Sequence, residues 1–581
     1  MKLRQRETIG VPFHNNPLLD VIYRGRGITS FDEINYNLSG MLPPVMKGME
    51  EACALIENAI FNDHNILIIG DYDCDGATAT AIGVEGLISL GAKNVSFLVP
   101  DRMKLGYGLT PLIVELAALR SPDLIITVDN GISAVAGAAA VKQLVSARTG
   151  KAGDVKLLIT DHHLAPEELP EADAIVNPNQ QGCPFPSKCI AGCGVMFYLL
   201  LYVRAHFEKN GLFEKLSITK PDIRELMDLL ALGTVADVVA LDKNNRILVY
   251  QGLKRIREGF VRPGIRHLFE VAGGDLSKIT ATDFGFSIGP RINSVGRLDD
   301  MTYGITCLLE RDEKKALDMA LFLNDLNKER KEIQSDMIAT ANQQLKEMDF
   351  TADATAMTVC VYNNSFHEGV IGLVASRLKE DYFRPTIVFT DTETHEDEIK
   401  GSGRSIPEIH LRDILSEVSL HTDCIMKFGG HAMAAGLTIK KAQLDDFKRI
   451  FEECVSSKID KAEATIDTDG EIQPHLLTLD TCQMIIDAGP WGQMFPEPIF
   501  SGHFLVSSYK LLKEKHLKMM LTPIGTYGNQ VAAIYFNYCD GKRPEVVEGD
   551  RVNLAFSLSI NEFKGSRSVQ LMARHLELIK L

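Results

Sequence analysis

Short apolar runs that stop abruptly at polar clusters set the rhythm of the first half of this chain. Residues 65–70 (NILIIG), 124–128 (LIITV) and 155–160 (VKLLIT) are rich in Ile, Leu and Val and are bounded by turn residues. Runs of this length read as strands buried on both faces of a parallel sheet. Helix-favouring stretches, residues 77–90 and 134–147, lie between them, so strand and helix alternate. Right-handed crossovers put the carboxyl end of every such strand on one edge. That edge is the crevice in which open α/β sheets hold ligands.

The pattern then changes. Residues 311–347 carry apolar positions at helical spacing with no Pro or Gly, which predicts a long connecting helix or a helix pair that serves as a spacer. A second α/β unit opens at about residue 351 with the strand-like MTVCVY. Beyond residue 459 come alternating segments, IFSGHFLVSSYKLL, HLKMMLTPIG, QVAAIYFNYC, RVNLAFSLSINEF and SVQLMARHLEL, which predict a small five-stranded barrel. The fold class expected is therefore α/β with a parallel-sheet domain, a second α/β domain and a C-terminal β-barrel.

Composition narrows the class without deciding the activity. At 581 residues with 45% hydrophobic positions, the chain has core enough for several domains. No run approaches the roughly 20 apolar residues of a membrane span, and MKLRQRETIGVPFHNN lacks the apolar core of a signal peptide, so a cytoplasmic protein without membrane contact is expected. The 11 cysteines are not those of a small secreted disulfide framework. Cys183, Cys189 and Cys193 have C-x5-C-x3-C spacing, which matches no usual zinc pattern and reads as structural thiols. The net charge of −16 does not exclude a nucleic acid, because counterion release depends on local Lys and Arg rather than on the sum.

Where the apolar runs end, the chemistry begins. DYDCDG, VDNG and TDHH sit at three strand ends, and GTVADVVAL adds a further aspartate. Alone, DYDCDG also fits a solvated turn or a calcium-loop fragment lacking its later Glu. VDNG alone is ordinary turn chemistry. Taken together, they bring Asp73, Asp75, Asp129, His162 and Asp237 to one crevice, where such carboxylates would repel one another unless cations share them. Oxygen donors with a single imidazole suit Mg2+ or Mn2+ better than zinc. Asp73 and Asp75 are read as neighbours in a loop, so that one of them could bridge two ions set for in-line phosphoryl displacement.

The set DYDCDG, VDNG, TDHH and GTVADVVAL resembles the DHH phosphoesterase superfamily, named for its Asp-His-His triplet. The likeness continues through GPRINSVGRLDD (289–300), FHEGVIGLVASRL (366–378), GSGRSIP (401–407) and GGHAMAAG (429–436). Its order is similar to that of the superfamily's single-strand-specific exonucleases. The resemblance implies a lead-in at 1–45, a DHH domain at 46–305, a connecting helix at 306–350, a DHH-associated (DHHA1) domain at 351–458 and an oligonucleotide-binding (OB) fold at 459–581. It further implies a 5′ to 3′ exonuclease of single-stranded DNA that uses two divalent cations, Mn2+ or Mg2+.

The resemblance assigns metal binding to Asp73, Asp75, Asp129, His162 and Asp237, with His163 beside them orienting a ligand or touching a phosphate. Asp71 and Asp161 form an outer tier, Asp161 with an equally good structural reading. Candidate 5′-phosphate ligands are Arg102, Arg291, Ser402 and Arg404, with Tyr107 stacking on a terminal base. Asn293 and Arg297 would line the cleft, and Ser405 and His431 belong to the later motifs that face it. Tyr535, Phe536, Tyr538 and Phe563 are barrel aromatics able in principle to stack bases, each more readily read as core. Implied partners are single-stranded DNA, a single-strand-binding protein and a RecQ-type helicase, in recombination and repair. Related chemistries remain open here: a superfamily member cutting pyrophosphate, very short RNA or cyclic dinucleotides, or a non-catalytic DNA scaffold.

Overall fold

The computed structural model describes residues 2–101, 108–348, 350, 356–392, 395–459, 464–526, 528–538 and 545–579. The chain opens with a short strand, Lys2–Gln5 (β1), whose partner lies near the other end of the sequence. The first sheet comprises Asn65–Ile69 (β2), Asn94–Leu98 (β3), Leu124–Val128 (β4), Lys156–Thr160 (β5) and Ala174–Val176 (β6). Its pairings are all parallel and its order is β3-β2-β4-β5-β6. The chain steps outward from β2 to β3 and then returns to the far side of β2 with β4. The gap beyond the carboxyl ends of β2 and β4 is thus the topological switch point of the sheet.

Helices cover both faces, as a parallel sheet of continuous apolar strands requires. Cys74–Ser89 (α1) follows β2, and further crossovers run through Pro111–Ala118 and Val135–Gln143. The start of α1 differs from the sequence expectation. Asp73 caps it, its carboxylate accepting from the Gly76 amide at 3.0 Å, so the helix begins inside DYDCDG and Asp75 stands in its first turn rather than in a loop. Gly192–Lys209 (α2) and Met227–Ala236 (α3) pack over α1, and Ile68, Ala81, Ile82, Met196, Leu200 and Leu230 share one buried core.

Gly289–Leu298 (α4) leads toward the connecting segment. That segment is one 35-residue helix, Glu313–Glu347 (α5), capped by Asp312, which accepts from the Lys315 amide at 2.9 Å. At 1.5 Å per residue it is roughly 50 Å long. The second sheet follows: Val359–Tyr362 (β7), Thr386–Asp391 (β8), Glu398–Arg404 (β9), Ile425–Gly430 (β10) and Ala434–Lys440 (β11), in the order β10-β11-β9-β8-β7. Only β7 and β8 pair in parallel. Helix Ile371–Tyr382 (α6) connects them.

Thr465–Thr468 (β12) pairs in parallel with β1, and just beyond it Asp469 meets Arg26 in an ion pair at 2.6 Å with both side chains 1% exposed. The lead-in is therefore fastened to the entrance of the C-terminal unit. Phe500–Leu512 (β13), His516–Pro523 (β14), Val531–Tyr535 (β15), Arg551–Phe563 (β16) and Ser566–Leu578 (β17) close into a barrel. Phe504 and Phe556 meet edge to face inside it. Phe536 and Phe563 are exposed on its surface, while the Tyr535 hydroxyl donates to the Arg574 carbonyl.

Candidate metal centre and strand cleft

Two groups of donors meet at the switch point. Asp71, Asp73 and Asp129 each offer one oxygen within 4.8 Å of the others, and Asp75, His162 and Asp237 bring two oxygens and a ring nitrogen equally close together. Asp129 links the groups, since its Oδ1 lies 3.1 Å from His162 Nε2, which is itself 3.6 Å from Asp237 Oδ2. Asp129, at the end of β4, is thus the carboxylate that lies between the two groups. Asp71, placed in an outer tier by the sequence, stands among the donors themselves.

The backbone explains the convergence. Asp129 adopts φ +61, a left-handed conformation that Asp and Asn tolerate better than most residues. Asn130, fully buried, donates from its side chain to the carbonyls of Ile69 and Val128, tying the ends of β2 and β4 together. Asp75 accepts from the amides of Gly192 at 2.6 Å and Cys193 at 2.9 Å. These are the first two residues of α2, so the carboxylate sits where orphan N–H groups and the helix dipole favour negative charge. A side chain at Gly192 would place its Cβ 2.5 Å from that of Asp129, so only glycine lets α2 reach the site.

Electrostatics favours cations here. Asp75 is 0% and Asp129 2% exposed. Burial, then the charges of the neighbouring carboxylates, push the Asp73, Asp129 and Asp237 pKa values upward. Burial, then His163, lowers that of His162, keeping an imidazole nitrogen available as a ligand. His162 Nε2 and Asp237 Oδ2 are buried and, beyond these contacts with each other and with Asp129, have no hydrogen-bond partner among the described residues. Buried donors left in this state fit a site that holds Mg2+ or Mn2+.

The other candidates divide. The Asp161 carboxylate accepts from the amides of Ile132, His162 and His163 and is 2.7 Å from His163 Nδ1, which gives it the structural role. Burial opposes protonation of His163, but its bond to Asp161 and the charges of Asp161, Asp71 and Asp73 outweigh this and raise its pKa to about 9. Across the cleft, the His431 ring lies parallel to that of His163, with centroids 6.5 Å apart. Ser405 is fully buried and donates inward to the Ile409 carbonyl at 2.7 Å, so its hydroxyl does not face the cleft.

Ser402 and Arg404 lie together at the end of β9, with Arg404 Nη1 donating to Ser402 Oγ at 3.2 Å. Gly372 at the start of α6 is so close that a Cβ there would be 2.9 Å from Ser402 Oγ and 3.0 Å from Arg404 Nη2. A hydroxyl, a guanidinium and the amino end of a helix thus converge as a phosphate would require. Arg102 and Tyr107 lie outside the described residues.

The α4 candidates have separate tasks. Arg297 Nη1 donates to the Gly369 carbonyl at 3.1 Å, joining α4 to the second α/β unit. Asn293, expected to line the cleft, is half-buried and accepts from the Cys74 amide at 2.7 Å through its Oδ1. A Cβ on Gly296 would lie 2.0 Å from the Tyr72 carbonyl oxygen, so α4 is pressed directly onto the metal loop. Arg291 turns toward α5, where its Nε donates to Asn324 Oδ1 at 3.1 Å.

A carboxylate and imidazole crevice at the switch point of a parallel sheet, faced by a second α/β unit, is the plan of a DHH-type phosphoesterase. Comparison agrees in order: residues 65–234 match the DHH family, N-terminal domain, 354–457 the DHHA1 domain and 468–575 the RecJ OB domain. The single-stranded-DNA-specific exonuclease RecJ of Escherichia coli (strain K12) is 43% identical over 98% of both chains. The chain belongs to the RecJ family. The crystal structure of RecJ from Thermus thermophilus in complex with Mn2+ has a TM-score of 0.77 and 28% identity, covering 97% of this chain and 76% of that one. Its counterpart with Mg2+ has a TM-score of 0.72 and 27% identity, covering 97% and 75%.

Proposed function

We propose that this protein is a single-stranded-DNA-specific exonuclease that hydrolyses phosphodiester bonds from the 5′ end with two divalent cations, Mn2+ or Mg2+. The observation that carries the reading is the pair of donor groups joined through Asp129 at the sheet's switch point. Asp71, Asp73 and Asp129 would hold one ion, and Asp75, His162 and Asp237, with Asp129 shared, the other. Two such ions lower the pKa of an attacking water and neutralise charge on the scissile phosphate.

The chain's own groups supply the rest. The amides of Gly192 and Cys193 fix the Asp75 carboxylate, and Asp161 fixes the turn that carries His162 and His163. His163, held at Nδ1 by Asp161, would turn its other ring nitrogen toward the phosphate beside the donors. Ser402, Arg404 and the first amides of α6 would grip the terminal 5′-phosphate, setting the polarity. Arg102 and Tyr107 would join that grip by family likeness. The strand would run between the two α/β units, with Phe536 and Phe563 offering π-faces that stack bases without reading sequence. Work in recombination and DNA repair in the cytoplasm, beside a single-strand-binding protein and a RecQ-type helicase, follows from the same likeness. Among the described residues no helix is long and apolar enough to cross a membrane.

The test is digestion of end-labelled single and double strands with and without added Mn2+. Release of nucleotides from the 5′ end of single strands alone, abolished by chelation, is the expected result. Equal digestion of duplex, or turnover in chelator, would remove the proposal.

A further inference from the structure

Buried arginines elsewhere in this chain are matched by fixed partners. Arg26 pairs with Asp469, and Arg262 is held by Asp228 and Glu85. Arg246 lies over the Phe495 ring and donates to the Leu241 and Glu33 carbonyls. The wall between α4 and α5, like the Arg246 site, holds buried arginines without a carboxylate partner among the described residues, here Arg291 and Arg330. Arg291 donates to Asn324 and to the Ser287 carbonyl. Arg330 donates to Gln334 and Asn327 at 2.6 Å each.

Neutral amides orient both guanidiniums without neutralising them. Each uses only part of its five-donor fork, and each residue keeps a small exposed fraction, 9% for Arg291 and 8% for Arg330. Lys331, exposed beside them, completes the cluster. Burial, then Arg330 and Arg291, lowers the Lys331 pKa, and burial lowers those of both arginines. In a chain with 77 acidic against 61 basic residues, a spot where cations repel one another without an acid between them has its counter-charge supplied from outside.

We propose that Arg291, Arg330 and Lys331 form a phosphate-binding station on the α4–α5 wall that takes the sugar-phosphate backbone of the single strand. The assignment rests on the exonuclease reading and extends it along the path of the substrate. Arg291 stands six residues before Arg297 on α4, roughly 9 Å along the helix. The station is therefore separate from the contact of Arg297 with the second α/β unit, and it engages the strand away from the 5′-terminal grip. Guanidiniums held by amides and an exposed ammonium touch phosphate oxygens only, so the contact is indifferent to sequence.

The experiment measures binding of a fluorescent oligothymidine to the full chain by anisotropy, in chelator, across a series of salt concentrations. Each phosphate contact adds about 0.7 to the slope of log affinity against log salt for single strands. Lys331→Ala and Arg330→Gln should each flatten the slope by about that amount, and the pair by about 1.4. Lys93→Ala, at an exposed lysine paired with Asp63, should leave it unchanged. An unchanged slope in Lys331→Ala overturns the station, and this exposed position decides the matter if Arg330→Gln folds poorly. Displacement of the strand by inorganic phosphate at matched ionic strength, in the parent but not in Lys331→Ala, would make it a small-anion pocket and overturn the backbone assignment. Absence of strand binding by the parent would instead defeat the exonuclease reading.

Discussion

Asp129→Asn removes the one charge that both donor groups share, and the metal-free protein is expected to gain stability from its loss. Asn fits the site, because it accepts the left-handed backbone at φ +61 as well as Asp does. The oxygens of Asp71 and Asp73 lie within 4.8 Å of that of Asp129. At this separation two unit charges repel by about 3.5 kcal/mol at an effective dielectric constant of about 20. The folded protein lessens that cost by taking up protons, which is why the Asp73, Asp129 and Asp237 pKa values rise.

A carboxyl whose folded pKa lies above its unfolded value leaves the native state with more bound protons. Stability therefore falls as pH climbs from the unfolded value, about 4, through the folded one. In chelator the parent should lose thermal stability between about pH 5 and pH 8, and Asp129→Asn should lose less of it. Near pH 8 the variant should gain about 3 kcal/mol, roughly 6 to 12 °C in Tm at the scale of this domain. Mn2+ at a hundred times its Kd should restore about 2.7 kcal/mol per site to the parent, and far less to the variant, so the ranking reverses on loading. Exonuclease turnover in the variant should fall by about a hundredfold or more. Differential scanning of both proteins, with chelator and with Mn2+ at the two pH values, reads the stability changes, and a turnover assay reads the last. A variant less stable than the parent in chelator near pH 8, or a parent indifferent to pH there, would refute the reasoning.

Asn293→Ala orphans the Cys74 amide and should cost about 1 to 3 kcal/mol of stability. It should weaken Mn2+ binding measured by calorimetry while leaving KM for the strand unchanged. A raised KM with unaltered Mn2+ binding would place Asn293 on the DNA instead. Arg404→Ala should lower affinity for a 5′-phosphorylated strand by about tenfold or more, the worth of one charge-assisted hydrogen bond. A 5′-hydroxyl strand should be nearly indifferent, and equal losses on both would remove the terminal grip. The Asp161–His163 pair should stabilise the chelated protein fully below about pH 6.5, the ordinary histidine value, and lose its contribution as pH rises through about 9. His163→Gln should accordingly lower Tm near neutral pH and have little effect at alkaline pH, which thermal scans across that range will check.

The parts of the site legible in the sequence are those fixed by local pattern. The runs ending in Gly70, Val128 and Thr160 mark buried strands because a parallel sheet needs them apolar on both faces, and right-handed crossover then sends Asp73, Asp129 and His162 to one edge. The alternating segments after residue 459 mark the barrel for a similar reason. The remainder depends on contacts that no local period encodes. Gly192 and Cys193 reach Asp75 from 117 and 118 residues away, and Asn293 holds Cys74 from 219. The pairing of β1 with β12 is equally distant and involves a strand too short to announce itself.

The misplacements share one physical cause. The DYDCDG pattern puts Asp75 in a loop, but the Asp73 side chain satisfies the Gly76 amide and starts the helix at once. Ser405 sits within a cleft-facing motif, yet its hydroxyl has a buried backbone group to satisfy nearby, the Ile409 carbonyl. A motif gives the address of a residue, while the accounting of buried hydrogen bonds decides whether its side chain is spent on the fold or left for a ligand. By that accounting His162 Nε2 and Asp237 Oδ2, buried with no hydrogen-bond partner among the described residues beyond their contacts with each other and with Asp129, are left for cations. The unused guanidinium edges of Arg291 and Arg330 are left for phosphate. Asp161, with its oxygens committed to three amides and an imidazole, belongs to the scaffold that holds them.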